Sequence, residues 1–191
     1  MTRKSSSVIF VGQFPPPING LTFITSRLAR ALTDTGYEIA AVDISGPAAG
    51  RSVLFHASRL ARTCQAMFSI ILNALLGRSR TCYLTADGGL GLVYTVMIAG
   101  CARLSRSRIY IHHHSFSYIV RRRILMDLLL IVSGANAVHI FLSSGMARDL
   151  SKRYGRSIDS LVLSNAAFVD CANSGTPSRT GEGITIGLLS N

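Results

Sequence analysis

The sequence predicts an α/β fold, a doubly wound parallel sheet with helices on both faces, on three observations. Short apolar runs without polar alternation, such as Val8-Ile-Phe-Val11 and Ala137-Val-His-Ile-Phe-Leu142, read as strands buried on both faces, as parallel strands are. Each run is followed by apolar residues at helical spacing, and this βα alternation holds through the chain, which means a parallel sheet wrapped by helices. Of the 191 residues, 48% are hydrophobic, enough for a sizeable core.

The first strand, Val8 to Val11, is bounded by Ser7 and Gly12. Three prolines, Pro15 to Pro17, forbid helix and ladder pairing in the loop that follows. Leu21, Ile24, Leu28, Ala31 and Leu32 then mark a helix, with Arg27, Arg30 and Asp34 on its other side and Gly36 at the C-cap. Gly20 lets the backbone approach a bound group where free N–H groups open that helix, so strand, loop and helix N-terminus make an anion-ready site. A glycine that only permits tight packing is the plainer alternative.

Glu38 to Asp43 is the second strand, and Ile44 to Gly50 a turn-rich loop. Gly46-Pro-Ala-Ala-Gly-Arg-Ser52 lacks the spacing and the lysine of a P-loop. Arg51 to Leu76 reads as a long helix with a continuous stripe of Leu54, Leu60, Cys64, Phe68, Ile71, Leu72 and Leu75, while His56, Arg59, Arg62 and Thr63 lie elsewhere. A core-facing stripe with a solvated basic side is one reading, and partial contact with a membrane surface the other.

Thr81 to Thr85 is the third strand, and Ala86-Asp-Gly-Gly-Leu-Gly91 opens a buried helix running to about Leu104. Gly89-Leu-Gly91 lacks the third glycine of a dinucleotide fingerprint. The fourth strand, Ile109 to His114, ends in three histidines, and Arg121 to Arg123 precede a helix over Ile124 to Val132. Ala137 to Leu142 is the fifth strand, Ser143 caps a helix that stops at Gly155, and Ser160 to Leu163 is the sixth strand. Residues 1–171 are therefore expected to form one domain, 172–183 a polar linker, and 184–191 the first strand of a further domain.

Lys and Arg number 20 against 9 acids, and the resulting +11 favours phosphate-rich partners: nucleotide, anionic lipid or nucleic acid. Nucleic acid ranks last, because aromatic residues are not interleaved with the basic ones and no helix-turn-helix or RNP pattern appears. Cys64, Cys82, Cys101 and Cys171 form no Cys-x-x-Cys, so they read as buried thiols of a reducing compartment rather than zinc ligands or a redox dithiol. The basic start followed by an apolar run breaks at Gln13 and reads as no secretion signal, and the longest apolar runs fall below the roughly 18 residues of a spanning helix.

Ligands of an open parallel sheet bind outside the carboxyl ends of its strands. Three loops belong at such ends: Asn19-Gly20-Leu21, Asp87 with Gly88 and Gly89, and His112 to His114 with Ser115 and Phe116. They are expected to share one rim. Strand geometry puts His112 and His114 on one side and His113 on the other. A rim histidine with its pKa near neutrality can take a proton, so one histidine is read as a base and the others as hydrogen-bonding or packing residues. Metal is set aside, because neighbouring strand residues point apart. His139 reads as a satisfied core histidine, and Arg121 to Arg123 as a solvated helix start or an attractor of an anionic acceptor.

Val-Gly-Gln-Phe-Pro-Pro-Pro-Ile-Asn-Gly-Leu21, Ile111-His-His-His-Ser-Phe-Ser-Tyr118, Phe141-Leu-Ser-Ser-Gly-Met-Ala-Arg-Asp-Leu150, Val162-Leu-Ser-Asn-Ala-Ala167 and Ile186-Gly-Leu-Leu-Ser-Asn191 together resemble the bacterial GT-B glycosyltransferases of the group 1, or family 4, kind. The resemblance runs through the chain in order. It implies two Rossmann-like domains facing across a cleft, the N-terminal one binding the acceptor and the C-terminal one the nucleotide sugar. It implies retaining transfer, without metal or other cofactor, from a nucleotide-sugar donor to a saccharide or lipid-linked acceptor, in the cytoplasm or at the inner face of the cell membrane. Asn19-Gly20 would approach the donor phosphates, and His114, with His113 next, would sit by the reacting sugar. Gly20-Leu21 stands where the family often has Gly-Gly, and the paired glutamates and phosphate-binding basic residues of the family's second domain have no counterpart here. Transfer is therefore expected to need that second domain. The alternative is a stand-alone basic module for an anionic saccharide, lipid or nucleotide.

Overall fold

The computed structural model describes residues 7–46 and 53–168. The linker over 172–183, the strand over 184–191, Cys171 and most of the Gly46–Ser52 turn lie outside them. Strand and helix alternate as β1 (Ser7–Gly12), α1 (Gly20–Asp34), β2 (Glu38–Asp43), α2 (Val53–Leu75), β3 (Thr81–Ala86), α3 (Leu92–Leu104), β4 (Arg108–His113), α4 (Ser117–Val120), α5 (Ile124–Ser133), β5 (Val138–Phe141), α6 (Ser144–Tyr154) and β6 (Ser160–Val162). The short α4 is an element the apolar pattern does not announce. All six strands are parallel in the order β2-β1-β3-β4-β5-β6, which is a Rossmann-like doubly wound sheet.

Alternation along the strands divides the core in two. Val8, Phe10 and Tyr83 meet Leu28, Ala29 and Leu32 of α1 on one face. Ile9, Val11, Leu84 and Ile111 meet Ala66 and Ile70 of α2, Ile98 of α3, Met126 and Leu129 of α5, and Leu150 of α6 on the other. Helix ends follow local chemistry. Asn19 caps α1 by accepting from the Thr22 N–H at 3.0 Å, and the Thr22 hydroxyl accepts in return from the Asn19 N–H at 2.9 Å. Ser143 caps α6, which ends at Gly155 with φ 62°.

One expectation is reversed. The leucine-rich stripe of α2 faces away from the core, and the residues turned inward are Arg59, Thr63, Ala66 and Ile70. Leu54, Phe68 and Leu75 are 77%, 65% and 80% exposed, whereas Arg59 is 7% exposed. The cause lies in what α2 meets. Ala66 and Thr63 are small enough for close approach to the sheet, and a buried carboxylate at the end of β3 requires the guanidinium of Arg59 on the inner side. Cys64 travels with the outer stripe and is exposed, contrary to its reading as a buried thiol, while Cys82 and Cys101 are buried.

This orientation has a stability signature. Ile70→Ala should lower the unfolding free energy by about 2–5 kcal/mol through the cavity it leaves, while Phe68→Ala, two residues away, should change it by about 0.5 kcal/mol or less. Urea denaturation of the two variants measures both, and equal losses would mean that the stripe packs inward.

Candidate functional site

Because the strands run the same way, their carboxyl ends lie on one edge of the sheet. The chain leaves β1 toward β2 on one side and returns to β3 on the other, so the crevice of this topology falls between the ends of β1 and β3. A hydrogen bond crosses it. Gln13, the residue after β1, donates from Nε2 to Oδ1 of Asp87, the residue after β3, at 2.7 Å. The other carboxylate oxygen, Oδ2, receives the Arg59 guanidinium at 2.5 Å. The Arg59 and Asp87 side chains are only 9% and 5% exposed, and the Tyr94 ring centroid lies 4.8 Å from the guanidinium carbon. Burial pushes the Asp87 carboxyl upward in pKa, and the pairing with Arg59 and the bond from Gln13 act against that rise.

Asp87 thus lies beneath the rim rather than on it. Above it the chain tucks into a short 3-10 turn, Gly89–Gly91. A Cβ on Gly91 would stand 2.8 Å from the Asp87 Cβ, and Gly89 adopts φ 59°, so both positions require glycine. Gly88 and Gly89 are exposed. A Cβ on Gly88 would meet the Ser115 hydroxyl at 3.0 Å, which sets the loop after β3 directly against the loop after β4. Ser115 in turn bonds the Ser117 hydroxyl at 2.9 Å, and Phe116 is exposed.

On the other side of Gln13, Asn19 directs its side chain back to cap α1. Gly20 and Leu21 open that helix, where N–H groups have no intrahelical partner. Gly20 is exposed, and nothing lies within 4 Å of the place its Cβ would take. Packing therefore does not explain this glycine.

The three consecutive histidines separate onto the two faces of the sheet. His112 is fully buried on the α1 face, its Nδ1 2.6 Å from the Tyr83 hydroxyl, and its ring centroid is 4.0 Å from that of His114. His113 is fully buried on the opposite face. Its Nδ1 lies 3.0 Å from the Tyr118 hydroxyl and its Nε2 2.8 Å from Nδ1 of His139, with the Phe141 ring stacked on it at 4.7 Å. His139 is the hydrogen-bonded core residue that its apolar strand suggested. His114 alone keeps partial exposure.

Desolvation holds every one of these rings neutral: His112 at about 3, His114 and His139 at about 4, and His113 well below its ordinary value. The expectation of a rim histidine titrating near neutrality is therefore corrected. At neutral pH His114 carries no charge. The Nε2 atoms of His112 and His114 are buried without a hydrogen-bond partner among the described residues. Among those residues no group of three or more His, Cys, Asp or Glu is placed to hold a metal ion.

Arg59 and Gln13 are the site residues the sequence reading missed. Arg59 shares a helical row with Thr63, Ala66 and Ile70, and that row of polar and small residues was the available signal. A cavity of about 650 Å3 lies at the opposite edge of the sheet, lined by Arg103, Arg106, Arg108, Ser133, Asn136 and Asp159 among others. The C-termini of α3 and α5 point there, and Arg103 donates to the carbonyls of Ile131 and Val132, so its basic lining answers the negative ends of helices. Compared with family models, with curated proteins and with solved structures, the chain matches none.

Two outcomes follow from the buried groups. Arg59→Ala should cost about 3–5 kcal/mol because it strands the Asp87 carboxylate, and the double replacement Arg59→Met with Asp87→Leu should cost less than the single one in urea denaturation. The histidines make stability depend on acid. Above about pH 6.5 they are neutral whether folded or unfolded and contribute nothing. Below it the unfolded chain binds protons that the folded chain refuses, so stability falls through the window from about 6.5 down to the folded values near 3 to 4. Each ring adds a slope approaching 1.4 kcal/mol per pH unit, and replacing His139 by Gln should flatten the measured profile.

Proposed function

We propose that this chain is the acceptor-side half of a retaining glycosyltransferase of the GT-B kind, taking a nucleotide-sugar donor and a saccharide or lipid-linked acceptor. The observation that carries the reading is the continuity of the rim: Gln13 bonded to Asp87, and Gly88 lying against Ser115, join the loops after β1, β3 and β4. A glycine opens α1 without any packing demand, which suits close approach by a phosphate to the helix N-terminus. A neutral His114 at the end of β4 suits hydrogen bonding to sugar hydroxyls better than proton transfer at neutral pH.

In this reading the described residues form one wall of a cleft. Holding donor and acceptor together needs the opposing wall, since positioning and electrostatic stabilisation dominate such a transfer. The test is label transfer from a panel of UDP- and GDP-sugars to a bacterial lipid and oligosaccharide extract. The 191-residue chain alone should give none, and addition of a second nucleotide-binding domain should give product of retained configuration. In that assembly His114→Ala should lower turnover about a hundredfold. Robust turnover by the chain alone, or an assembly indifferent to His114→Ala and Gly20→Trp, would overturn the proposal.

The charge favours a second reading, a basic module that holds an anionic ligand without transforming it. Arg121, Arg122 and Arg123 stand exposed at the rim end of α5. Salt-sensitive retention of nucleotide or acidic oligosaccharide with no transfer in any assembly would select it.

A further inference from the structure

The outward stripe of α2 has no role in the rim chemistry. Leu54, Leu60, Phe68, Ile71, Leu72 and Leu75 are all exposed along a helix of 23 residues, which is about 34 Å long. No Asp or Glu occurs anywhere in α2. The neighbouring helices of the same layer continue the pattern: α3 packs beside α2 and exposes Val93 and Leu104, and α5 packs beside α3 and exposes Ile124, Leu128 and Ile131. A monomer in water rarely leaves so extended an apolar field uncovered.

Charge around the field selects what covers it. Arg78 and Arg80 follow the end of α2, Arg103 and Arg106 stand at the end of α3, and Arg121 to Arg123 precede α5, all exposed. Asp127 is the sole acid on α2, α3 and α5, and it is held by Arg122 at 2.8 Å. A second copy of the chain would set arginine against arginine around the seam, with no acid to match them. A bilayer of anionic lipid supplies an apolar interior for the stripe and phosphates for Arg78, Arg80, Arg106, Arg121 and Arg123, while Arg103 is already bonded to helix carbonyls and Arg122 to Asp127. None of the described helices is long and apolar enough to cross a membrane, so the arrangement is one of lying on the surface.

We propose that the outer face of α2, with the adjoining surfaces of α3 and α5, is a docking surface for an anionic lipid bilayer. The proposal goes beyond the transferase reading, and its test requires no sugar donor. Cys64 lies on the outer face and is the one exposed cysteine among the described residues, so an environment-sensitive fluorophore there reports insertion once Cys171 is replaced by Ser.

The experiment uses the 191-residue chain with vesicles of phosphatidylcholine alone, and with vesicles in which about a third of the lipid is phosphatidylglycerol. The label should shift to the blue and the chain co-sediment with the anionic vesicles, more weakly as salt rises. Phe68→Glu and Leu72→Glu should each lower partitioning about tenfold or more at unchanged unfolding midpoint. Arg78→Glu with Arg80→Glu should weaken binding and flatten its salt dependence, while Ala31→Glu on α1 should leave it unchanged. Binding indifferent to Phe68→Glu and Leu72→Glu would overturn the proposal, as would a lipid-free dimer, seen by light scattering, that those two variants dissolve. Vesicle binding, with no transfer in any assembly that includes a second nucleotide-binding domain, would sink the transferase reading and leave this one standing.

Discussion

The buried pairing of Arg59 with Asp87 sets more of this structure than any other single contact. A carboxylate removed from water at the end of β3 needs a cation and a second donor, and Gln13 and Arg59 supply them. That requirement fixes the rotation of α2 about its own axis. Residues of a helix advance by about 100°, so with Arg59 turned inward, Phe68 falls on the far side and the leucines go with it. The site and the surface are two consequences of one orientation. The helix is amphipathic in reverse along most of its length: Arg59, Thr63 and Ala66 grip the core together with Ile70, and Leu54, Phe68, Leu72 and Leu75 are turned outward.

Much of the fold was legible. Uninterrupted apolar strands, helical periodicity between them, the serine before α6 and the glycine after it each stated a local preference that the tertiary structure kept. Sharing of an edge by the three loops followed from parallel strands alone. What periodicity cannot state is the direction a stripe faces. The pattern of α2 shows one apolar side, and only the demand of Asp87, 28 residues away along the chain, decides that the side points out. Gln13 was hidden for the same reason, since its partner is 74 residues distant. The histidines were legible in their alternation and not in their acidity, because a pKa depends on how much water the finished fold leaves near the ring.

Those histidines divide into two unlike sets. On the helix-rich face, His113, His139 and Tyr118 form a closed polar network inside the core, and Tyr154 extends it by donating to the Tyr118 carbonyl at 2.6 Å. Such a network is rigid when every member is satisfied. On the α1 face, His112 is held by Tyr83 and supports His114 ring against ring. The inner set braces β4 and β5, and the outer set presents an uncharged imidazole at the end of β4. A run of identical residues thus carries two distinct duties, assigned by the pleat.

The placement of α2, α3 and α5 in one layer parallel to the sheet fixes a direction as well as a surface. A molecule resting on that layer carries its strands level with the support, and their carboxyl ends then look sideways. On the proposed docking, the rim at the strand ends would neither be pressed into the headgroups nor held aloft. It would open like a doorway at floor height, where anything tethered by a hydrocarbon tail arrives by gliding in two dimensions and never has to leave its leaflet.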